Sequence, residues 1–179
     1  MSEVTQRAIL DAMPALLAEH GYAALTFDDI ALRARVGKSA IYRRWDGKPA
    51  LVAEVVRDVF ARVNPGVPDT GDPRRDLVVI LSNTARFLRR GPFGGVIRSL
   101  VAEAALDDRL RVALRQVVRD RSRLLIAVLA RIPEVRAADR AALVSCLAGP
   151  LYYRLLISGE PITPRFAAGI VERVMPRPR

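Results

Sequence analysis

Apolar residues recur along this chain every three or four positions, which is the spacing that gives an α-helix one buried face. Strand-like alternation of apolar and polar residues is absent from the sequence. In the N-terminal part the pattern predicts four helices, over residues 3–19, 26–34, 38–45 and 49–63. The expected fold class is therefore all-α.

The segment NPGVPDTGDP, residues 64–73, has three prolines and two glycines and is the best candidate for a domain boundary. Beyond it, apolar-periodic runs separated by proline and glycine predict five further helices, over residues 74–90, 93–105, 107–131, 137–158 and 164–175. We therefore expect about nine helices in two domains, an N-terminal one over residues 1–63 and a larger C-terminal one over residues 74–179.

Local signals define the ends of the first two helices. Pro14 lies inside the first helical pattern, where it removes one backbone hydrogen bond and should bend the helix, and Gly21 is expected to end it. The second helix has a clear start, because Thr26 can cap it and Asp29, three residues later, completes a capping box. A three-residue turn then leads to the third helix. Residues 26–45 are thus a predicted helix-turn-helix, the motif whose second helix enters the DNA major groove.

The third helix has the residue types that a DNA recognition helix needs. Ile41 and Trp45, four positions apart, can dock its inner face on the preceding helices, and Gly37 lets its N-terminus approach a phosphate. The other candidate DNA contacts are small residues that admit the backbone and donors for phosphates and base edges: Lys38, Ser39, Ala40, Tyr42, Arg43 and Arg44. A solvated basic helix is the alternative, but the order of capped helix, turn and short basic helix favours DNA binding.

Charge supports this interpretation locally rather than globally. The chain has 29 Lys and Arg against 19 Asp and Glu, a formal net charge of +10, yet the first 60 residues hold eight of each kind. Between Arg33 and Lys48, however, there are six basic residues and one acid, and both lysines of the chain lie there. A concentrated positive segment of this kind is typical of a nucleic-acid contact.

The first 60 residues resemble the DNA-binding module of the TetR family of transcriptional repressors, in the segments AILDA, LLAEHGYAALTFDDIA, VGKSAIYRRW and GKPALVAEVV. A second similarity, to ligand-binding domains of the family, lies in GPFGGVIRSLVAEA and GPLYYRLLISGEPIT. The resemblance implies that Thr26 and Tyr42 contact phosphates and that Lys48 meets the DNA backbone from the start of the fourth helix. It also implies that base edges or adjacent phosphates face Lys38, Ser39, Ala40 and Arg43.

The chain departs from the family pattern at several positions. The usual turn glycine is Arg35 here, so a non-glycine residue is expected at positive φ, at a cost of about 1 kcal/mol. The common His-Phe pair after the tyrosine is Arg44-Trp45, which adds a charge and a larger core anchor. The acid that often follows the lysine is Pro49. The operator sequence is therefore not predicted.

The helix over residues 137–158 is apolar on every face, since Ser145 and Arg154 are its only strongly polar residues between positions 141 and 157. Such a helix must be covered on all sides, and in a domain of this size one side needs a second subunit. Together with the last helix it predicts a four-helix homodimer interface, which the family resemblance also implies; a core helix of a monomer is the alternative. Candidate interface residues are Leu147, Leu151, Leu155, Phe166 and Ile170.

The family resemblance also implies that the helices between residues 74 and 131 enclose a pocket for a small-molecule effector. The candidates for its lining are Phe87, Phe93, Ile97, Leu125 and Tyr152, with Arg98 or Tyr153 as a polar anchor. Ordinary core packing is the alternative for each of them, because apolar residues at helical spacing are core by default.

The sequence favours a homodimeric, ligand-responsive repressor that binds an inverted repeat in double-stranded DNA; the alternative is a ligand-independent, architectural DNA-binding protein. An enzyme is not expected, because the chain has one histidine, one cysteine, no paired metal ligands and no phosphate-binding glycine loop. Neither a cofactor nor a metal is expected. With no run of about 18 apolar residues and no apolar signal core in MSEVTQR, the sequence predicts a soluble, cytoplasmic protein rather than a membrane-bound one.

Overall fold

The computed structural model describes residues 2–90 and 92–175, and in these ranges the chain forms nine α-helices and no β-strand. The bounds are α1 Glu3–Ala24, α2 Phe27–Ala34, α3 Lys38–Tyr42, α4 Lys48–Val63, α5 Pro73–Arg89, α6 Phe93–Glu103, α7 Asp108–Leu129, α8 Arg140–Tyr153 and α9 Pro164–Val174. A 3-10 turn at Ala137–Asp139 leads into α8, and a π-helical turn at Arg154–Ser158 follows it. The all-α prediction is confirmed.

Helix α1 is longer than predicted and is interrupted at a glycine rather than at its proline. Backbone dihedral angles stay helical at Pro14 and leave the helical region at Gly21, where φ is 71° and ψ is 176°. A residue without a Cβ atom adopts such a positive φ at little cost. The helix is therefore kinked at Gly21, close to its C-terminal end.

Helix α3 is shorter than predicted and ends at Tyr42 instead of Trp45. The backbone N–H groups of Arg44 and Trp45 both donate to the carbonyl oxygen of Ile41, at 3.0 and 3.1 Å. Sharing one acceptor in this way tightens the last turn of a helix. Trp45 is still delivered to the core, since its side chain is buried.

The helices group into two compact units, each of which is discontinuous in sequence. The first unit combines Met1–Val59 with Pro92–Val118, and the second combines Phe60–Gly91 with Arg119–Arg179. Helix α6 and the first part of α7 thus pack with the N-terminal helices, although they follow the Pro/Gly-rich segment along the chain. The functional division into residues 1–63 and 74–179 stays a prediction.

In the first unit, α1 is the central element, since α2 and α6 both pack against it and α3 packs against α2. The residues that form this core are fully buried and apolar, and they include Ile9, Met13, Leu16, Ile30 and Ile41. Because these positions recur at helical spacing, burial of one face per helix follows from the sequence pattern. Helix α3, the predicted recognition helix, is held by this core.

In the second unit, α5 packs against α8 and α9. A buried carboxylate on α5 holds the Pro/Gly-rich segment that precedes this helix. Asp76 is fully buried, accepts the N–H of Thr70 at 3.0 Å and is paired with Arg131. Burial opposes ionisation of Asp76, but the hydrogen bonds from Thr70 and the Arg131 guanidinium outweigh it and lower the pKa of this carboxyl. Arg131 also donates to the carbonyl oxygen of Pro68 at 3.1 Å, so the Pro/Gly-rich segment is pinned to the end of α7.

Helix α8 exposes an apolar face that differs from the one predicted to meet a second subunit. Leu147, Leu151 and Leu155 are buried within their own chain, as is Ile170 of α9, whereas Phe166 is half-buried. Assigning the four buried side chains to a subunit interface is therefore corrected, because contacts within the protomer already cover them. The apolar residues exposed along one stripe of α8 and the turn after it are Ala142, Cys146, Gly149, Tyr153 and Ile157, and Ala141, Ser145 and Ser158 are exposed beside them.

The segment Ala137–Ser158 is long and apolar enough to cross a membrane by length and composition, with only 22% of its most apolar window buried. Core helices of soluble proteins pass the same test, so this feature alone is weak evidence for a membrane span. The low burial has a more direct meaning. A large part of an apolar helix lies uncovered in a single copy of the chain, with Ile157 73% exposed.

Candidate nucleic-acid interface

The start of α2 is fixed by the predicted capping box, which is confirmed. The backbone N–H of Asp29 donates to Thr26 Oγ1 at 3.2 Å, and the N–H of Thr26 donates to Asp29 Oδ2 at 3.0 Å. The Thr26 hydroxyl also donates to Asp29 Oδ2 at 2.6 Å, and these bonds lower the pKa of the carboxyl. A phosphate can only accept, so a contact between Thr26 and DNA requires the hydroxyl proton to leave Asp29.

The turn between α2 and α3 contains the predicted strained residue. Arg35 has φ 55° and ψ 46°, the left-handed conformation, and it is the only non-glycine residue with positive φ in the described ranges. The next amide, of Val36, donates to the carbonyl oxygen of Ala31 at 3.0 Å, which closes the C-terminal end of α2. The strain at Arg35, about 1 kcal/mol for a non-glycine residue, is therefore held by helix-end hydrogen bonds.

The inner face of the recognition helix is anchored on a carboxylate that the sequence pattern did not reveal. Ile41 and Trp45 are buried, as predicted. The indole N–H of Trp45 donates to Glu54 Oε2 at 2.7 Å, and the amide of Gln6 donates to Glu54 Oε1 at 2.6 Å. Glu54 thus ties α1, α4 and the end of the recognition segment together. The position of Glu54 among the apolar residues of α4 was the one sequence signal that could have indicated this role.

The outer face presents most of the predicted DNA contacts to solvent. Ser39, Arg43 and Arg44 are exposed, and Tyr42 is 63% exposed while its ring packs edge-on against Phe27 at 4.9 Å between centroids. This contact fixes the ring and leaves the phenol hydroxyl outside the core. The exposed set therefore combines one hydroxyl, one phenol and two guanidinium groups on a single short helix and its last turn.

Two of the predicted DNA contacts, Ala40 and Gly37, gain no support from the structure of the free chain. Ala40 is only 8% exposed, so its methyl group lies mainly on the inner side of α3. Gly37 is exposed and has φ −73°, and an added Cβ atom would meet the Ser39 hydroxyl at an ordinary 3.8 Å. Nothing in the free chain demands glycine there, so roles for both residues toward DNA stay predictions.

Lys38 already has an ion-pair partner, which sequence reasoning did not anticipate. Its ammonium contacts the carboxylate of Asp28 on α2, and both side chains are exposed. An exposed pair of this kind contributes about 0–1 kcal/mol. The predicted contact of Lys38 with a phosphate or a base edge would therefore displace Asp28 at low cost.

Lys48 is used inside the protein. Its ammonium donates to the carbonyl oxygens of Tyr22, Ala23 and Leu25 at 2.7, 3.1 and 3.1 Å, and lies 4.4 Å from the centroid of the Tyr22 ring. An ammonium has three donors, so none is left for a phosphate. These bonds occupy the ammonium in the free chain, so the expected contact of Lys48 with the DNA backbone would require the ammonium to leave them. The side chain closes the C-terminal end of α1, where carbonyl groups lack helical partners.

The residues predicted to line an effector pocket are divided between the two units. Phe93 and Ile97 are buried in the first unit, where Arg98 is exposed; in the second, Leu125 is buried, Phe87 and Tyr152 are half-buried, and Tyr153 is 60% exposed. The exposure of Tyr153 on the outer face of α8 corrects its assignment as a pocket anchor.

Two of these candidates do meet in the second unit, through residues that the sequence alone did not suggest. Phe87 packs edge-on against Phe60, with 5.3 Å between ring centroids. Tyr152 accepts a hydrogen bond from Arg121, whose guanidinium lies over the Phe60 ring. Arg121 and Phe60 thus join Phe87 and Tyr152 in one cluster.

Two family models match this chain, and together they cover most of it. Residues 9–55 match the model described as bacterial regulatory proteins of the tetR family. Residues 67–174 match the model described as the tetracyclin repressor-like C-terminal domain. The first match includes the capped helix, the turn and α3, and the second includes α5 to α9.

Curated relatives are similar along nearly the whole chain. The HTH-type transcriptional regulator YdeS of Bacillus subtilis is 34% identical over 174 residues, which are 94% of this chain and 87% of the relative. The HTH-type transcriptional regulator Mb1581 of Mycobacterium bovis is 30% identical over 165 residues, which are 89% of this chain and 80% of the relative. The similarity therefore extends well beyond the helix-turn-helix.

Solved structures share the fold. The TetR family transcription regulator SCO0332 matches with a TM-score of 0.79 and 30% identity over 96% of this chain and 97% of its own. The transcriptional regulator FadR from Bacillus subtilis, solved in complex with stearoyl-CoA, matches with a TM-score of 0.73 and 15% identity, over 97% and 99% of the two chains. At 15% identity the second match indicates a common fold and nothing more.

Proposed function

This chain belongs to the TetR family of bacterial regulatory proteins, a family of transcriptional regulators that bind DNA through a helix-turn-helix, and we propose that it acts as a homodimeric repressor released from its operator by a small molecule. The observation that carries the proposal is the arrangement of α3 and its last turn. Hydrogen-bond donors of Ser39, Tyr42 and Arg43 are exposed on the outer face, and the inner face is anchored by the buried Ile41 and Trp45. The family has no enzymatic role, and the proposal includes no cofactor. In the described residues, no group of three or more His, Cys, Asp or Glu could hold a metal ion.

Arg43 is the strongest candidate for reading a base. It is exposed on the last turn of the recognition segment, and within the described ranges it has no ion-pair partner, unlike Lys38 and Arg44. A guanidinium can bind the major-groove edge of guanine through two hydrogen bonds. Tyr42 and Ser39 then supply hydroxyl donors to neighbouring phosphates, which position the helix without reading sequence.

The exposed apolar face of α8 supports a homodimer. Its residues Ala142, Cys146, Gly149, Tyr153 and Ile157 follow one another at intervals of three or four, so they form one stripe along the helix. Small residues in the first part of the stripe permit a close approach of a second helix, and Tyr153 and Ile157 supply apolar area in the last part. A twofold dimer would require an inverted repeat, with recognition helices about 34–36 Å apart or a little more.

The effector part of the proposal has support from the size and composition of the helical domain that follows the Pro/Gly-rich segment. A structural neighbour, FadR, was solved in complex with stearoyl-CoA, so a chain of this fold can accommodate a ligand with a long acyl chain. Release of DNA would follow if the ligand binds more tightly to a form in which the recognition helices are misspaced. The alternative remains a DNA-binding protein without an effector. As a regulator of DNA, the protein would act in the cytoplasm.

A duplex selected by the wild-type protein from a randomised pool tests DNA recognition. Arg43→Ala should weaken binding to the selected duplex by about 1–3 kcal/mol in fluorescence anisotropy and relax the preference at one base pair. Arg123→Ala is the matched control, because Arg123 is an exposed arginine of α7 outside the helix-turn-helix. If both variants bind the selected duplex like wild type, the assignment of α3 as the reader is wrong.

A further inference from the structure

The second unit contains a guanidinium set among aromatic rings. The central carbon of Arg121, on α7, lies 3.4 Å from the centroid of the Phe60 ring and 5.9 Å from that of Tyr152. One terminal nitrogen donates a hydrogen bond to the Tyr152 hydroxyl. Phe87 packs edge-on against Phe60. We refer to Phe60, Phe87 and Tyr152 as the aromatic cluster.

Arg121 lacks a counter-ion, although its side chain is half-buried. In the part of the chain that the structure describes, its partners are the Tyr152 hydroxyl and the two rings, and no carboxylate pairs with it. Two other half-buried arginines of this unit pair with carboxylates, Arg154 with Glu160 at 2.8 Å and Arg74 with Glu134 at 3.9 Å. Arg140 is half-buried and, like Arg121, has no carboxylate partner in the described ranges. A partly desolvated cation without an anion is unfavourable, and aromatic faces offset only part of that cost.

Neighbouring polar groups do not compensate the charge, because they are paired with one another. One helical turn beyond Phe60, Asn64 accepts from the side-chain amide of Asn83 at 3.1 Å and donates to Thr84 Oγ1 at 3.3 Å. Asn83 lies one turn before Phe87 on α5. The end of α4 and helix α5 therefore meet through the hydrogen-bonded Asn64 and Asn83 side chains and, one helical turn away, through the Phe60 and Phe87 rings. Arg121 lies beside the ring contact.

The orientation of Arg121 leaves hydrogen-bonding capacity in a defined plane. A guanidinium has five N–H donors directed outward in its own plane, and Tyr152 takes one of them. Stacking on Phe60 and the bond to Tyr152 together fix that plane. A planar fork held in this way matches a carboxylate, which can accept two parallel hydrogen bonds.

We propose that Arg121 binds the carboxylate of a small organic acid whose apolar or aromatic body lies against the aromatic cluster. The proposal rests on the proposed function, because it names the chemical class of the effector of this regulator. The carboxylate supplies the counter-ion that Arg121 lacks, and the half-buried rings of Phe87 and Tyr152 contact the rest of the molecule, since Phe60 is itself buried. A neutral analogue of the same shape keeps the contact with the aromatic rings and loses the ion pair with Arg121. The negative charge of the effector is therefore the property that Arg121 recognises.

The experiment compares two probes that differ in charge and share a ring system, naphthalene-2-carboxylate and naphthalene-2-methanol, by isothermal titration calorimetry on the full chain. Wild type should bind the carboxylate about 10- to 100-fold more tightly than the alcohol, as expected for hydrogen bonds to a charged group. Arg121→Met should remove that preference and leave the affinity for the alcohol unchanged. Arg121→Lys, which keeps the charge and loses the fork, should retain part of it.

Arg123→Met is the control, because Arg123 lies on the same helix, is largely exposed and pairs with Asp120. It should bind both probes like wild type. The proposal is overturned if wild type fails to bind the carboxylate or does not prefer it to the alcohol, or if Arg121→Met keeps the preference. Thermal unfolding separates a structural role, since an arginine that only holds helices together would lower the melting temperature on replacement without changing the ratio of the two affinities.

DNA binding is measured in parallel, so that failure of this inference can be told from failure of the proposed function. The wild-type protein could select a duplex from a randomised pool and show no preference for the carboxylate. That result would contradict the organic-acid effector and leave the proposed DNA-binding function standing. A protein that prefers the carboxylate and selects no duplex contradicts the proposed function while the Arg121 site stands.

Discussion

The phenol of Tyr22 donates a hydrogen bond of 2.8 Å to Asp107 Oδ2 and so links the end of α1 to the start of α7. Asp107 Oδ1 accepts the backbone N–H of Leu110 at 3.0 Å, and these bonds lower the pKa of its carboxyl. Burial and the same hydrogen bond raise the pKa of Tyr22. On the other side, the Lys48 ammonium lies over the Tyr22 ring. One residue therefore connects the first turn of α4, the last turn of α1 and the cap of α7.

Removing the phenol hydroxyl should weaken this connection without a cavity in the core. Tyr22→Phe keeps the buried ring and deletes a hydrogen bond to a carboxylate, so the free energy of unfolding should fall by about 1.5–3 kcal/mol in urea titration. Tyr42→Phe is the matched control, because its exposed hydroxyl has no protein partner in the described ranges and its ring contact with Phe27 is retained. Equal stability of the two variants would show that the Tyr22–Asp107 bond contributes nothing.

Asp107 should also contribute a pH-dependent part of the stability. Its pKa is lower in the folded chain than in the unfolded one, so its contribution is fully present above the unfolded value, about 4, and is lost as the pH falls through the folded value. The free energy of unfolding of Asp107→Asn should therefore fall less steeply than that of wild type on acidification below about pH 5. Parallel curves for wild type and Asp107→Asn would contradict this interpretation.

The two lysines should separate a structural role from a DNA contact. Lys48→Met leaves three carbonyl groups at the end of α1 without their donor, so it should lower the free energy of unfolding by about 1–3 kcal/mol and leave the salt dependence of DNA binding unchanged. Lys38→Met should do the reverse, with little loss of stability and a reduction of the salt slope by about 0.9 if Lys38 neutralises one phosphate. A salt slope reduced by Lys48→Met alone would restore Lys48 as the phosphate contact.

Features that depend on close neighbours in sequence could be predicted. The capping box joins residues three positions apart, and the left-handed conformation of Arg35 was expected from the family resemblance, because glycine is usual at this turn position. Helix existence followed from apolar periodicity, whereas helix ends were less well predicted. Helix α1 continues past the predicted end to Ala24, because Gly21 kinks the helix without ending it.

Features that depend on spatial partners could not be predicted. Lys48 lies 26 residues from Tyr22 in sequence, so nothing local indicated that α1 would use its ammonium. In α8, every face is apolar, and periodicity therefore cannot tell the face that meets its own core from the face that lies open. From the pattern, Leu151 and Tyr153 are equally plausible core residues, yet Leu151 is buried and Tyr153 is exposed. The unpaired state of Arg121 is likewise invisible in a helix rich in arginine.

The open face of α8 gives a direct test of the dimer. Ile157→Asp places a charge in the exposed apolar stripe and should convert the dimer to monomer in sedimentation velocity, because an unpaired charge is costly in an apolar interface. Leu106→Asp is the control, since Leu106 is 88% exposed but lies outside α8. Leu151→Ala should instead lower the free energy of unfolding by about 2–5 kcal/mol through a core cavity. A wild-type protein that sediments as a monomer at micromolar concentration would exclude this dimer.

Trp45 is the only tryptophan of the chain, so its fluorescence reports on the anchor of the recognition helix. Glu54→Gln keeps the shape of the side chain but removes the charge that receives the indole N–H at 2.7 Å. We expect a shifted emission maximum together with a loss of specific DNA affinity of about 1–3 kcal/mol, because a misplaced recognition helix loses base contacts before it loses phosphates. Non-specific affinity should change much less. Glu172→Gln, an exposed position on α9, should alter neither the emission nor the affinity. If Glu54→Gln leaves the emission and the specific affinity at wild-type values, Glu54 does not position the helix.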